Sequence, residues 1–197
     1  MPAGGQTPGA LQTREALLDA GAALAEQHGL AGVSVNMVVA RAGVAKGTFY
    51  VHFADRGAFL AALHRRFFEL AAEGVAAATA DLPPGRERLL RGILAYLDVS
   101  LRHHGVKALL LEARNDPTVA DRVAARTADF SALSEPDLRA MGWSDAAGAA
   151  RLVAAMSAEL SVTEAASAAP DVQGRTLLGQ MLERLDLPGA SARETGP

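Results

Sequence analysis

No cysteine occurs among the 197 residues of this chain. That excludes disulfides and thiolate metal ligands, and it makes a reducing compartment, the cytoplasm, the expected setting. Aromatic residues are also scarce at 5%, with a single Trp. No run of roughly 18 uncharged apolar residues is present, so a membrane span is not expected. The opening segment MPAGGQTPGA has neither a charged start nor an apolar stretch, and it is not expected to act as a signal peptide. GxSxG, HExxH and P-loop patterns are all missing, so neither catalysis nor a cofactor is expected. Acid pairs such as Glu112 and Asp116 read as solvated side chains at a helix end and its loop.

One further absence is local. Between Gly29 and Phe53 there is no Asp or Glu, although the chain carries 22 and a window of that size should hold about three. Arg41, Lys46 and His52 lie inside the window. The whole-chain charge of −3 argues against a nucleic-acid partner, but this segment argues the other way.

What is abundant is alanine, with half the residues apolar, and alanine has the best helix propensity of all. Apolar spacing at i, i+3 and i+4 predicts nine helices and no strand, an all-α fold. The first dozen residues read as a flexible arm. Thr13 is a plausible N-cap for a helix to His28, with Gly29 closing it. Ser34 caps a second helix over Val35 to Ala42, whose Val35, Val38 and Val39 face inward. Gly43 breaks that helix and a short third follows over Ala45 to Tyr50. Two short helices joined by a tight Gly-containing turn make a helix-turn-helix. Asp55 caps a long fourth helix running to about Thr79. Pro83-Pro84-Gly85 ends that segment. An amphipathic helix follows to near Gly105, then a short one over Val106 to Arg114. Asp116-Pro117 starts the next, which continues towards Met141 with a bend near Pro136. Segments from Ser144 to about Ala168 and from Asp171 to about Leu187 complete the set, and the tail from Pro188 reads as frayed.

The stretch that carries chemistry is Ser34 to Leu60, SVNMVVARAGVAKGTFYVHFADRGAFL. The Ser34 hydroxyl sits where backbone N–H groups are free to meet a phosphate. Ala45, Lys46, Gly47 and Thr48 open the third helix, and in a helix-turn-helix such residues reach the major groove. Lys46 suits a phosphate or a guanine edge, and Thr48 a phosphate or a thymine methyl. Tyr50 and His52 can donate to backbone phosphates, and Arg56 offers one more contact. A purely structural three-helix bundle would share this helix pattern. Lys46, Tyr50 and His52 at this spacing, with no carboxylate nearby, favour DNA. Few base-reading groups flank Lys46, so specificity is expected to lean on DNA shape.

At these residues the sequence resembles the TetR family of repressors. The order is AGV, a small residue, KGTFY, HF, then an acid–base pair before a long amphipathic helix. The resemblance is specific over Thr13 to about Leu63. Val39 stands where the family commonly has Ala, Arg56 where it has Lys, and Gly57 where it has Glu. Gly57 should weaken the start of the fourth helix. The resemblance implies a flexible arm over 1–12, a DNA-binding helix-turn-helix domain over 13–55, a helical ligand-binding and dimerisation domain over 56–187, and a flexible tail over 188–197. It implies a homodimer that binds double-stranded DNA at a palindromic operator and is released by a small-molecule effector. Ser34, Lys46, Thr48, Tyr50, His52 and Arg56 would contact DNA, with Ala45 beside them.

In the second domain the residues able to line an effector cavity are Tyr96, Leu97, Leu110, Leu111 and Phe130, together with Met141, Trp143, Leu152 and Met156. Aromatic and Met side chains suit an apolar or aromatic guest, although each could equally be core. Arg102 and Arg114 are the cations that could meet an ionic one. The last two helices read as a dimer seam, with Ala149, Leu152, Val153, Met156 and Leu160 on one and Leu178, Met181, Leu182 and Leu185 on the other. The competing reading places these faces in the subunit core. Adjacent His103 and His104 point about 100° apart on a helix, so a metal site is not expected, and a cap at a helix C-terminus is the simpler role. His64 with Arg65 and Arg66 reads as a solvated face. A helical ligand-binding or dimerisation module without DNA-binding function is the alternative to the regulator.

Overall fold

The computed structural model describes residues 8–29, 32–113, 128 and 131–184, without the side chains of 8 and 109–113. Nine helices are bounded among the described residues: α1 (Pro8–His28), α2 (Val35–Ala42), α3 (Lys46–His52), α4 (Arg56–Thr79), α5 (Arg86–Arg102), α6 (His104–Ala113), α7 (Glu135–Ala140), α8 (Ala146–Ser167) and α9 (Val172–Arg184). The fold is all-α, as the apolar spacing predicts. The restart at Asp116-Pro117, Arg114, Phe130, Leu185 and the tail lie outside the described residues. So do the side chains of Leu110, Leu111 and Glu112.

The helix boundaries follow local chemistry, and several depart from the sequence reading. Helix α1 starts at Pro8, so residues 8–12 of the expected arm are helical. Thr13 lies inside the helix, where its hydroxyl donates to Gly9 O at 2.9 Å instead of capping. Proline is tolerated in a first turn because its missing N–H would have no helical partner there. Gly29 ends α1 at φ +62°, as expected of a closing glycine. Asp55 caps α4, accepting from Ala58 N–H at 2.7 Å, and the helix continues unbroken through Gly57. The expected bend near Pro136 is a break instead: turn residues Leu133 and Ser134 precede α7, with Pro136 in its first turn. Asp145 caps α8 by accepting from Gly148 N–H at 2.8 Å. Asp171 caps α9 through Gly174 N–H at 2.9 Å.

Two compact units emerge, Met1–Phe67 with His103–Val123, and Phe68–Arg102 with Ala124–Pro197. In the first, α1 packs on α2 and α6, and α2 on α3. Its core holds Leu17, Leu24, Val38, Phe49, Phe53, Phe59, Leu63 and Phe67. Gly21 lets the Phe59 ring lie against α1, since a Cβ there would stand 2.5 Å from Phe59 Cζ. Glu26 joins α1 to the start of α6, its Oε2 accepting from Gly105 N–H at 2.9 Å and lying 3.0 Å from His104 Nδ1. His104 therefore opens α6, and the expected cap at a helix C-terminus is not its role. His64 is buried at 5% exposure, against the solvated face expected of it, while Arg66 pairs with Asp19 at 2.5 Å. Buried Lys107 lays its ammonium 5.8 Å from the Phe67 ring centre, a cation–π distance.

In the second unit α5 packs on α7, α8 and α9, and α7 packs on α8. The buried side of α8 runs through Ala146, Ala149, Ala150, Val153, Ser157, Ser161 and Glu164. Its serines satisfy themselves on the helix, Ser157 Oγ donating to Val153 O at 2.8 Å and Ser161 Oγ to Ala158 O at 2.6 Å. Glu164, 1% exposed, takes a bidentate fork from Arg175, Nε to Oε1 at 2.6 Å and Nη2 to Oε2 at 2.8 Å. Arg175 also reaches Asp98 at 2.6 Å. The hydrogen bonds that Arg175 donates to Glu164 raise the pKa of its guanidinium well above the ordinary value; burial opposes this and Asp98 adds to it. Asp137 on α7 likewise accepts from Arg88 Nε at 2.6 Å and Gly85 N–H at 2.9 Å, holding the start of α5.

Candidate nucleic-acid interface

Helix α2 opens on Ser34 in extended conformation, whose Oγ accepts from Met37 N–H at 3.3 Å. A hydroxyl has one donor and two acceptor positions, so the O–H of Ser34 is still available to donate outward. Helix α2 closes in a Schellman turn. Gly43 takes φ +68°, its N–H donates to Ala40 O at 3.3 Å, and Val44 N–H donates to Val39 O at 3.1 Å. The αL conformation there costs an L side chain about 1–2 kcal/mol, which is why glycine occupies it. The turn leads directly into α3 through Ala45, which is extended, exposed and gives no side-chain cap.

Helix α3 is anchored by two aromatic residues. Phe49 is fully buried and Phe53 4% exposed, and both pack on Phe59 of α4 with ring centres 5.3 and 5.0 Å away. The Arg14 guanidinium lies 5.2 Å from the Phe53 ring centre. With those rings turned inward, Lys46, Gly47, Tyr50 and Val51 are left exposed on the other side, and Thr48 and His52 are half-buried at its edges. Among the described residues, the side chains of Lys46, Thr48, Tyr50 and His52 make no hydrogen bond. Charges elsewhere in the unit are committed: Glu15 and Asp19 to Arg14 and Arg66, and Arg41 to Gln27 Oε1 at 3.2 Å. Arg56, expected at a phosphate, donates from Nε to Val33 O at 2.8 Å and so ties the start of α4 to the approach to α2.

This geometry is a helix-turn-helix with a polar, carboxylate-free outward side. The TetR family model, described as bacterial regulatory proteins of the tetR family, matches residues 17–63. The chain carries the TetR-family N-terminal domain. Beyond that domain the fold is similar to those of solved regulators, three of which follow. A regulator from Rhodococcus sp. assigned to the TetR family is similar at TM-score 0.78 and 22% identity, over 90% of this chain and all of that one. The multidrug binding protein EbrR, solved with imidazole, is similar at TM-score 0.74 and 23% identity, over 97% of this chain and all of that one. NemR of E. coli in its reduced form is similar at TM-score 0.70 and 18% identity, over 91% and 99% of the two chains. Among curated proteins, no sequence matches this chain.

Of the residues expected to line an effector cavity, Tyr96, Leu97 and Met141 are buried in the second unit, and Trp143 and Met156 are half-buried. Leu152 is 68% exposed and faces solvent, which removes it from any interior lining. The seam expected on the last two helices divides the same way. Ala149, Val153, Leu178 and Leu182 are buried within the subunit, whereas Leu152 and Met181 are exposed, as is Leu177, which the expected seam left out. Arg102 is exposed. Val51, 80% exposed on α3, and Met37, 38% exposed on α2, were passed over in the sequence reading. Carrying the helix one residue past Tyr50, with Val51 at i+4 from Gly47, would have put Val51 on the outward side. Among the described residues no helix is long and apolar enough to cross a membrane.

Proposed function

We propose that this chain is a homodimeric DNA-binding transcriptional repressor, acting in the cytoplasm and released from a palindromic operator by a small-molecule effector. The observation that carries this reading is the outward side of α3. Four polar side chains there make no hydrogen bond among the described residues, and no carboxylate lies between Gly29 and Phe53. Lys46 would meet a phosphate, Tyr50 a phosphate or a base edge, Thr48 and His52 the flanking backbone, and the O–H of Ser34 a phosphate at the N-terminus of α2. Ala45 admits the DNA backbone close to the turn, and Arg56 steadies α4 through Val33 O.

Dimerisation would use exposed apolar side chains of the last two helices, Leu152 on α8 with Leu177 and Met181 on α9. Two helices from each subunit then form an isologous four-helix seam. Two heads read a palindrome when they sit about 34 Å apart, one turn of DNA. The likeness in fold to a multidrug binding protein supports a small-molecule effector. Tyr96, Met141, Trp143 and Met156 suit an apolar or aromatic guest, and the buried Trp143 Nε1, without a partner among the described residues, would donate to an acceptor on it. Such a guest lowers DNA affinity by its own preference between the two conformations, and DNA weakens the guest equally.

Fluorescence anisotropy on duplex DNA with Lys46→Ala/Tyr50→Phe protein tests the reading. The variant should lose DNA while keeping its fold and dimer. A variant that binds as the wild type does would leave the chain a helical ligand-binding or dimerisation module.

A further inference from the structure

Val51 is the most exposed large apolar side chain among the described residues, at 80%. The fold has no use for it there. A β-branched residue in a seven-residue helix loses rotamer freedom, and one this exposed returns no burial. Ala, Lys or Glu would serve the helix better. Gly47, its i−4 neighbour, is equally unexplained by packing: it is not among the positive-φ glycines, and a Cβ added to it would meet nothing within 4 Å. Residues i and i+4 share one side of a helix, so Val51 stands next to bare backbone, on the same short helix as exposed Lys46 and Tyr50. The result is a shallow apolar patch on the helix whose polar groups are proposed to hold DNA.

We propose that Val51 is a specificity-determining residue that reads the 5-methyl group of a thymine in the major groove. This rests on the DNA-binding function proposed above. In that groove the thymine C5-methyl is the one apolar group that projects from a base edge, among donors and acceptors that set the rest of the pattern. The Val51 isopropyl group has neither, so it gains only against the methyl. Against cytosine or guanine it would strip water from a polar edge without replacing the bond. Direct reading by an apolar side chain thus adds to the shape-based readout expected from the sequence.

The test selects binding sites from a randomised duplex pool with the full-length protein, then replaces the selected thymines singly with deoxyuridine, which removes only the methyl. For the wild type, one thymine per half-site should matter, each replacement weakening binding about three- to five-fold, the worth of one buried methyl group. Val51→Ala, which removes the contact from both heads, should lose about ten- to twenty-five-fold on thymine DNA and bind thymine and uracil sites equally. Its melting temperature should be no lower than that of the wild type. A wild type that selects sites and distinguishes the two bases, with the same ratio in Val51→Ala, overturns this inference alone. A wild type that selects sites but is indifferent to every methyl also overturns it. A wild type that selects no sequence at all overturns both it and the DNA-binding function on which it rests.

Discussion

In the second unit, charge is answered by charge: Glu164 is 1% exposed and held by both arms of Arg175, which also reaches Asp98. On α3 the polar side chains point the other way, with Lys46, Thr48, Tyr50 and His52 making no hydrogen bond among the described residues. Two nearby positions of α3, Gly47 and Val51, are poor choices for a helix. The contrast teaches where to look for function. A buried pair is costly to break and says little about a partner. Polar groups at the surface that make no hydrogen bond within the described residues point to something outside the chain.

The largest effect expected from this contrast lies in the second unit. Arg175→Met strands the Glu164 carboxylate in the core and should lower unfolding stability by about 3–5 kcal/mol, read by urea denaturation. Adding Glu164→Leu should restore most of it, because an apolar pair of similar size needs no compensation. Lys46→Ala/Tyr50→Phe is the mirror experiment: on the order of a hundred-fold loss of DNA affinity by anisotropy, since charge-assisted and neutral hydrogen bonds are lost from both heads, with an unchanged melting curve. Gly21→Ala forces a methyl against the Phe59 ring and should cost about 1–3 kcal/mol of stability, with DNA affinity falling only as far as the folded fraction does. The smallest effect sharpens the comparison most. Gly47→Ala should stabilise the fold by roughly 0.5–1 kcal/mol and yet weaken DNA binding, so that the two readouts move in opposite directions.

Much of the first unit was legible because its signals are local. Ser34, Gly43 and Asp55 act as caps and breaks through their own backbone neighbours, and the chain states them directly. Thr13 misled because a threonine hydroxyl serves a helix start or its interior with the same atom, and only the Gly9 carbonyl decides which. His64 misled because its burial comes from tertiary packing, while the two arginines that follow it suggest water. Helix α8 was harder still. It is rich in alanine on nearly every side, so apolar spacing marks no face, and its true buried side carries Ser157, Ser161 and Glu164. The stripe drawn through Ala149, Leu152 and Val153 therefore joined core residues to an exposed one.

The central claim is that the outward side of α3 meets DNA phosphates, and salt dependence tests it most directly. Anisotropy of wild-type and Lys46→Ala protein should be followed on one selected duplex across a salt series. The account predicts a steep fall in wild-type affinity with salt, and a plot of log affinity against log salt shallower by about two for dimeric Lys46→Ala, one phosphate per head. Equal slopes for the two proteins would mean that Lys46 touches no phosphate, and would contradict the account.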